Sequence, residues 1–178
     1  MSFSEMMSES AKGLKKVKVL TGSALLIAIH VIIDFARIIV SNVFEISFSF
    51  LAIAMAGMFY GPVVAAIIGA AADTIAYLIK PSGFFFPGFT LNMAVMGFIY
   101  GMFLYKKKIT LKRVALAVLV ESVIINLVLT PIWLNIMYGN ELFAVVRVVK
   151  TAVQYPANVA LCYIVCKNMT AVRNKVAN

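Results

Sequence analysis

Long apolar runs, each ended by a short polar or turn-forming stretch, divide the chain into predicted helices at about 20–40, 48–60, 63–79, 89–105, 114–135 and 142–166. A transmembrane helix needs about 20 predominantly apolar residues. Run 48–60 is short by that measure. Gly61-Pro62 predicts a turn between the second and third helices, and Pro87-Gly88 breaks the chain before the fourth. The expected fold is therefore an all-α integral membrane protein, one domain over 1–178 with no linker. Two similar segments, Gly57 to Gly61 and Gly97 to Gly101, end the second and fourth helices. Small residues four apart let helices approach closely, so these read as packing positions.

Within the apolar runs, polar residues recur at helical steps. Ser23, His30, Asp34, Arg37 and Ser41 share a predicted face of the first helix. Asp73, Tyr77 and Lys80 do so in the third. Ser122, Asn126 and Trp133 do so in the fifth, with Thr130 at the edge, and Arg147, Thr151, Gln154 and Asn158 in the sixth. Polar groups at this depth are costly and face a cavity or one another. Either they glue helices together, or they line a polar cavity opening outward, because Arg37, Lys80 and Arg147 all fall near outer ends. The second reading is favoured. A different face of the first helix carries Ala24 and Ala28, about 120° from the polar seam. It reads as a helix-docking face.

Composition supports the membrane assignment. The chain is 63% hydrophobic, where soluble domains sit near 45–50%, and its mean hydropathy is +0.99. No cleavable signal pattern precedes Leu20. The net charge of +9 raises nucleic-acid binding, but its placement argues otherwise. Lys12, Lys15, Lys16 and Lys18 precede the first run, and Lys106, Lys107, Lys108, Lys112 and Arg113 fill one loop. Lys167, Arg173 and Lys175 follow the last. Basic residues gather on the cytoplasmic side, so both termini and the loop after the fourth helix are expected inside.

Enzymatic and ATP-binding motifs are missing. No G-x-x-x-x-G-K-[ST], H-E-x-x-H or G-x-S-x-G occurs, and His30 is the single histidine. Cys162 and Cys166 lie in an apolar run without nearby His or carboxylate, and read as packing thiols. The chain reads as no enzyme, binding no cofactor or metal. A pump without a nucleotide site needs energy from elsewhere. That leaves a ligand-capturing subunit of a larger assembly, or a secondary carrier, for which the chain is short.

Residues 48–105 carry AGMFYGP, GAAADTIAYL, FFPGFTL and GFIYGMFLY, and LTPIWLNIMYG with Arg147-x-x-Lys150 follows later. Over about 20–166 this resembles the folate-family S components of energy-coupling factor (ECF) transporters. The resemblance implies a six-helix protein of the prokaryotic cytoplasmic membrane that captures folate, or a reduced folate, from outside. It implies partners too: a transmembrane coupling protein docking on Ala24 and Ala28, and two cytoplasmic ATPases that use the ATP. Thr130-Pro-Ile-Trp133 and Gln154-Tyr-Pro156 depart from the expected pattern. Another vitamin or pterin-like compound, or a solitary carrier, remains open.

A folate ligand suits the residues. Phe84 to Phe86, Phe89, Trp133 and Tyr138 offer faces for a flat ring, with an interfacial aromatic belt as the alternative. Asn92, Gln154, Asn158 or Asp73 can meet the ring's edge. Arg37 or Arg147 is the expected strongest polar contact through a carboxylate, with Lys150 near the glutamate tail. The Pro-Gly break then reads as a lid of aromatic rings over the mouth.

Overall fold

The computed structural model describes residues 2–39, 45–81, 84–139 and 143–176. The predicted helices are all present, with shifted ends. After an N-terminal α1 (Phe3–Gly13) come α2 (Val17–Phe35), α3 (Phe50–Tyr60), α4 (Pro62–Ile79) and α5 (Pro87–Leu104). The fifth predicted helix is composite: α6 (Leu111–Glu121), a π-helical stretch (Ser122–Leu129) and α7 (Thr130–Tyr138). Then follow α8 (Phe143–Asn168) and α9 (Thr170–Val176). Four segments among the described residues are long and apolar enough to cross a membrane: Val17–Phe35, Pro62–Ile79, Pro87–Leu104 and Leu111–Met137.

Two seams expected from simple α-periodicity are broken. The first helix ends at Phe35, not near residue 40, and Ile38–Ile39 (β1) pairs antiparallel with Glu45–Ile46 (β2), Ile38 opposite Ile46. Arg37 therefore lies beyond the helix, and the last steps of the α2 seam are not helical; Ser41 falls outside the described residues. The seam of the fifth helix crosses the π stretch, whose i→i+5 pattern changes the angular step. Pro131 explains the disturbance. It has no N–H for the carbonyl four residues back and its ring crowds that carbonyl. Pro156 removes a second such bond inside α8.

The short α3 is deeply buried, while α4 and α5 form the most extensive helix pair. In α3, Ala52, Ile53, Ala54, Ala56 and Met58 are fully buried, as expected of a helix that is apolar on every side. At about 1.5 Å per residue its length is roughly 16 Å, half the ~30 Å hydrocarbon core. Glycine allows the helices around it to touch backbone to backbone. A Cβ on Gly97 would sit 2.2 Å from the Ala65 carbonyl oxygen, and one on Gly57 would sit 2.6 Å from the Gly101 nitrogen. The repeated glycine pairs are thus contact points of α5 with α3 and α4.

The helix α1 lies in what reads from sequence as a polar lysine-bearing lead. Its signal is a capping box: Ser2 opens the helix and its backbone N–H donates to Glu5 Oε2 at 2.8 Å. Met6 and Ser10, one turn apart, are its buried face. Ser10 does a second job. Its hydroxyl donates to the Tyr60 carbonyl (2.8 Å) and accepts from the Val63 and Val64 N–H groups (3.1 and 3.2 Å). It therefore caps the start of α4 from another helix, beside Gly61, whose φ of 85° suits glycine. Lys106, after α5, pairs with Glu9 of α1.

Ser10→Ala leaves two orphan N–H donors at the α4 start, and should lower stability by about 0.5–2 kcal/mol. Thermal unfolding of the purified protein in detergent checks this; an unchanged midpoint would show that the α3–α4 turn stands without α1.

Candidate ligand site

The Pro87-Gly88 break fixes the aromatic cluster at the N-terminal end of α5. Pro87 suits a helix's first turn, where its missing N–H is not needed. Gly88 is buried, and a Cβ there would lie 2.4 Å from Phe86 and 2.7 Å from Trp133. Only a bare backbone lets those rings close over the helix start. Phe86 lies 5.8 Å from Trp133 and 6.0 Å from Phe89, centroid to centroid. Phe85 packs on Tyr77 at 5.0 Å, whereas Phe84 is 81% exposed. Trp133 Nε1 donates to Asn92 Oδ1 (3.0 Å), and Asn92 Nδ2 donates to Thr130 Oγ1 (3.1 Å). Asn92 is buried. Its amide thus ties α5 to α7, and Thr130, expected at the edge of a seam, is a member of that tie.

A second polar knot lies where α2 gives way to the strand pair. Asp34 pairs with Arg37 at 3.6 Å and accepts from the Ser47 and Ser49 hydroxyls at 3.4 Å each. His30 Nδ1 meets the Ser49 carbonyl at 3.2 Å and is buried. Asp73 Oδ2 accepts from Thr90 Oγ1 at 2.6 Å, joining α4 to α5. Lys80 lies over the Phe35 ring, 5.7 Å from its centroid. These are the interhelical contacts expected of polar groups in apolar surroundings.

Between the knot and the aromatic cluster is a cavity of about 170 Å³. Ser47, Ser49 and Phe50 form one wall, and Met93 and Met96 of α5 another. Glu121 and Asn126 face it from the composite helix. The α8 wall is a ladder of Lys150, Thr151, Gln154 and Asn158 at helical spacing. Two flexible thioethers and a run of amides form a lining able to meet both the face and the edge of a flat polar ring.

The sequence-predicted ligand residues fall into groups. Lys150 and Gln154 line the cavity. Phe86, Phe89, Asn92 and Trp133 form the aromatic cluster at the start of α5, Phe89 one turn before Met93, and are not themselves in the cavity lining. Arg37 pairs with Asp34 three residues back, and Asp73 joins α4 to α5 through Thr90. The side chains of Tyr138 and Arg147 lie outside the described residues. Ala24 and Ala28 are exposed on α2. Glu121, Ser49, Met93 and Met96 were not anticipated as lining residues. Glu121 had a signal, since it is the one acid in the predicted helix 114–135. Cys162 and Cys166 are buried free thiols 3.9 Å apart, and no group of metal-ligating side chains occurs among the described residues.

Comparison with known proteins agrees with this architecture. A family model described as "ECF transporter, substrate-specific component" matches residues 18–170. The folate transporter FolT of Clostridium novyi (strain NT) is 38% identical over 168 residues, 92% of this chain and 98% of that protein. FolT of Leuconostoc mesenteroides subsp. mesenteroides is 32% identical over 154 residues, 82% of each chain. A solved structure, described as the crystal structure of FolT bound with folic acid, superposes with a TM-score of 0.80 at 39% identity, covering 86% of this chain and 95% of that one. This membrane protein, a transporter component and not an enzyme, belongs to the family of ECF transporter substrate-specific components.

Proposed function

We propose that this chain captures folate or a reduced folate from outside the cell and delivers it to an ATP-driven ECF importer. The observation that carries the reading is the cavity faced by α3, α5, the composite helix and α8, in a chain similar across nearly its whole length to a folic-acid-bound FolT. Sites for drug-sized ligands are about 300–1,000 Å³. A cavity of about 170 Å³ suits the flat ring end of such a ligand, with the rest reaching toward the mouth. Lys150 stands one to two turns before Gln154 and Asn158 on α8, so the glutamate carboxylates meet the cation while the ring sits among the amides. Arg37 supplies further positive charge on the outer side, and Phe86, Phe89 and Trp133 cap the mouth. Asp73 and Asn92 hold that frame through Thr90 and Thr130.

The energy step belongs to other chains. In this reading a transmembrane coupling protein docks on Ala24 and Ala28, and two cytoplasmic ATPases consume ATP. The chain itself binds no cofactor. The exposed alanines on α2 support such a docking face, because small side chains let another helix approach closely. The three basic clusters support cytoplasmic termini in a multi-pass protein of the prokaryotic cytoplasmic membrane.

Trp133 is the single tryptophan and touches Phe86 and Asn92, so folic acid should change its fluorescence saturably. Absence of saturable binding by calorimetry as well would exclude the folate reading. Lys150→Ala should weaken folic acid about ten-fold or more, as loss of a charge-assisted contact implies. It should leave pteroic acid, which lacks the glutamate, nearly unaffected; equal losses would remove Lys150 from the tail site. Ala24→Trp should bind folic acid normally in isolation yet abolish uptake in cells carrying the partner proteins. Loss of binding by that variant would contradict the separation of the two α2 faces.

A further inference from the structure

We infer that Glu121 is the specificity-determining acceptor on the floor of the cavity, taking hydrogen bonds from the N–H donors on the edge of the ligand's nitrogen heterocycle. The inference rests on the folate reading above and adds a residue to it.

Glu121 closes α6 ten residues after Leu111, about 15 Å along the helix axis, near the middle of a ~30 Å hydrocarbon core. A carboxyl group there is costly unless its oxygens are met. Glu121 is only 6% exposed, yet it lines the cavity. Its described hydrogen bond comes from the neighbouring Ser122 hydroxyl, at 3.2 Å to Oε2. A carboxylate has two oxygens and about four acceptor sites, so one hydroxyl uses only part of the capacity of a residue that lines the cavity.

The surrounding chemistry gives the direction of recognition. The other polar walls are Asn126, Gln154 and Asn158, amides that both donate and accept, and Thr151, whose hydroxyl does the same. Such groups adapt to either polarity of ligand edge. An ionised carboxylate only accepts, and it takes two parallel N–H donors well. The amino-pyrimidinone end of a pterin presents that pair, a ring N–H beside an exocyclic amine. The backbone is irregular at the same point. The π stretch starts at Ser122, and such π segments occur often at functional sites.

The test uses the full-length purified protein, calorimetric titration, and two probes: folic acid and its analogue with methyl in place of the ring's 2-amino group. Glu121→Gln should weaken folic acid about ten- to a hundred-fold, while the analogue, which keeps the ring N–H but lacks the amine, should lose several-fold less. Glu121→Asp, which keeps the charge but retracts it, should show the same selectivity in smaller measure and serves if the Gln variant does not fold. Equal loss for both probes, or no loss for folic acid, with an unchanged unfolding midpoint, would overturn the Glu121 assignment alone. Wild-type protein that binds neither probe would overturn the folate reading and this inference with it.

Discussion

An apolar solvent offers no hydrogen bonds, so a polar group in the spanning part is costly unless it finds a partner within the protein. That constraint organises the structure. Asp34 collects Arg37, Ser47 and Ser49; Asp73 takes Thr90; Asn92 joins Trp133 to Thr130. Each contact ties together segments that apolar side chains alone would leave free to slide, because lipid tails and leucine are equally greasy. Close approach comes from glycine, at the Gly57–Gly101 and Gly97–Ala65 contacts.

Irregular backbone is tolerated in such a medium only where it is buried in protein or lines a cavity. The π stretch behind Asn126 and the proline in α8 beside Gln154 both flank the same space. The cavity is therefore where the fold gives up regular hydrogen bonding, and where a ligand's own polar groups can take up what remains. The aromatic cluster at Pro87-Gly88 stands next to it, and the bare Gly88 is what lets Phe86 and Trp133 meet above α5.

The two faces of α2 differ in what surrounds them. His30 and Asp34 turn inward and fix the α2–α3 connection; Ala24 and Ala28 are exposed. At the other end of the bundle, Ser10 and Glu9 of α1 hold the α3–α4 turn and the basic loop after α5. The capture site and the basic face are thus braced by separate contacts.

Periodicity and apolar run length were enough to place the helices from 50 to 104 within a few residues, because a spanning helix must satisfy its own backbone and so depends little on context. Lys150, Gln154 and Asn158 were legible for the same reason: α8 is helical across them, and a step of four brings side chains to one face. The resemblance of residues 48–105 carried the family, which spacing could not. What the sequence alone left undecided were matters of contact. Strand pairing after Phe35 removed Arg37 from the helical seam, and the π stretch before Pro131 changed the step between Ser122 and Trp133. Ser10 reaches a turn fifty residues away, and Glu121 faces a space built by four other segments. Such juxtapositions come from how helices pack across long separations in the chain, which no local pattern encodes.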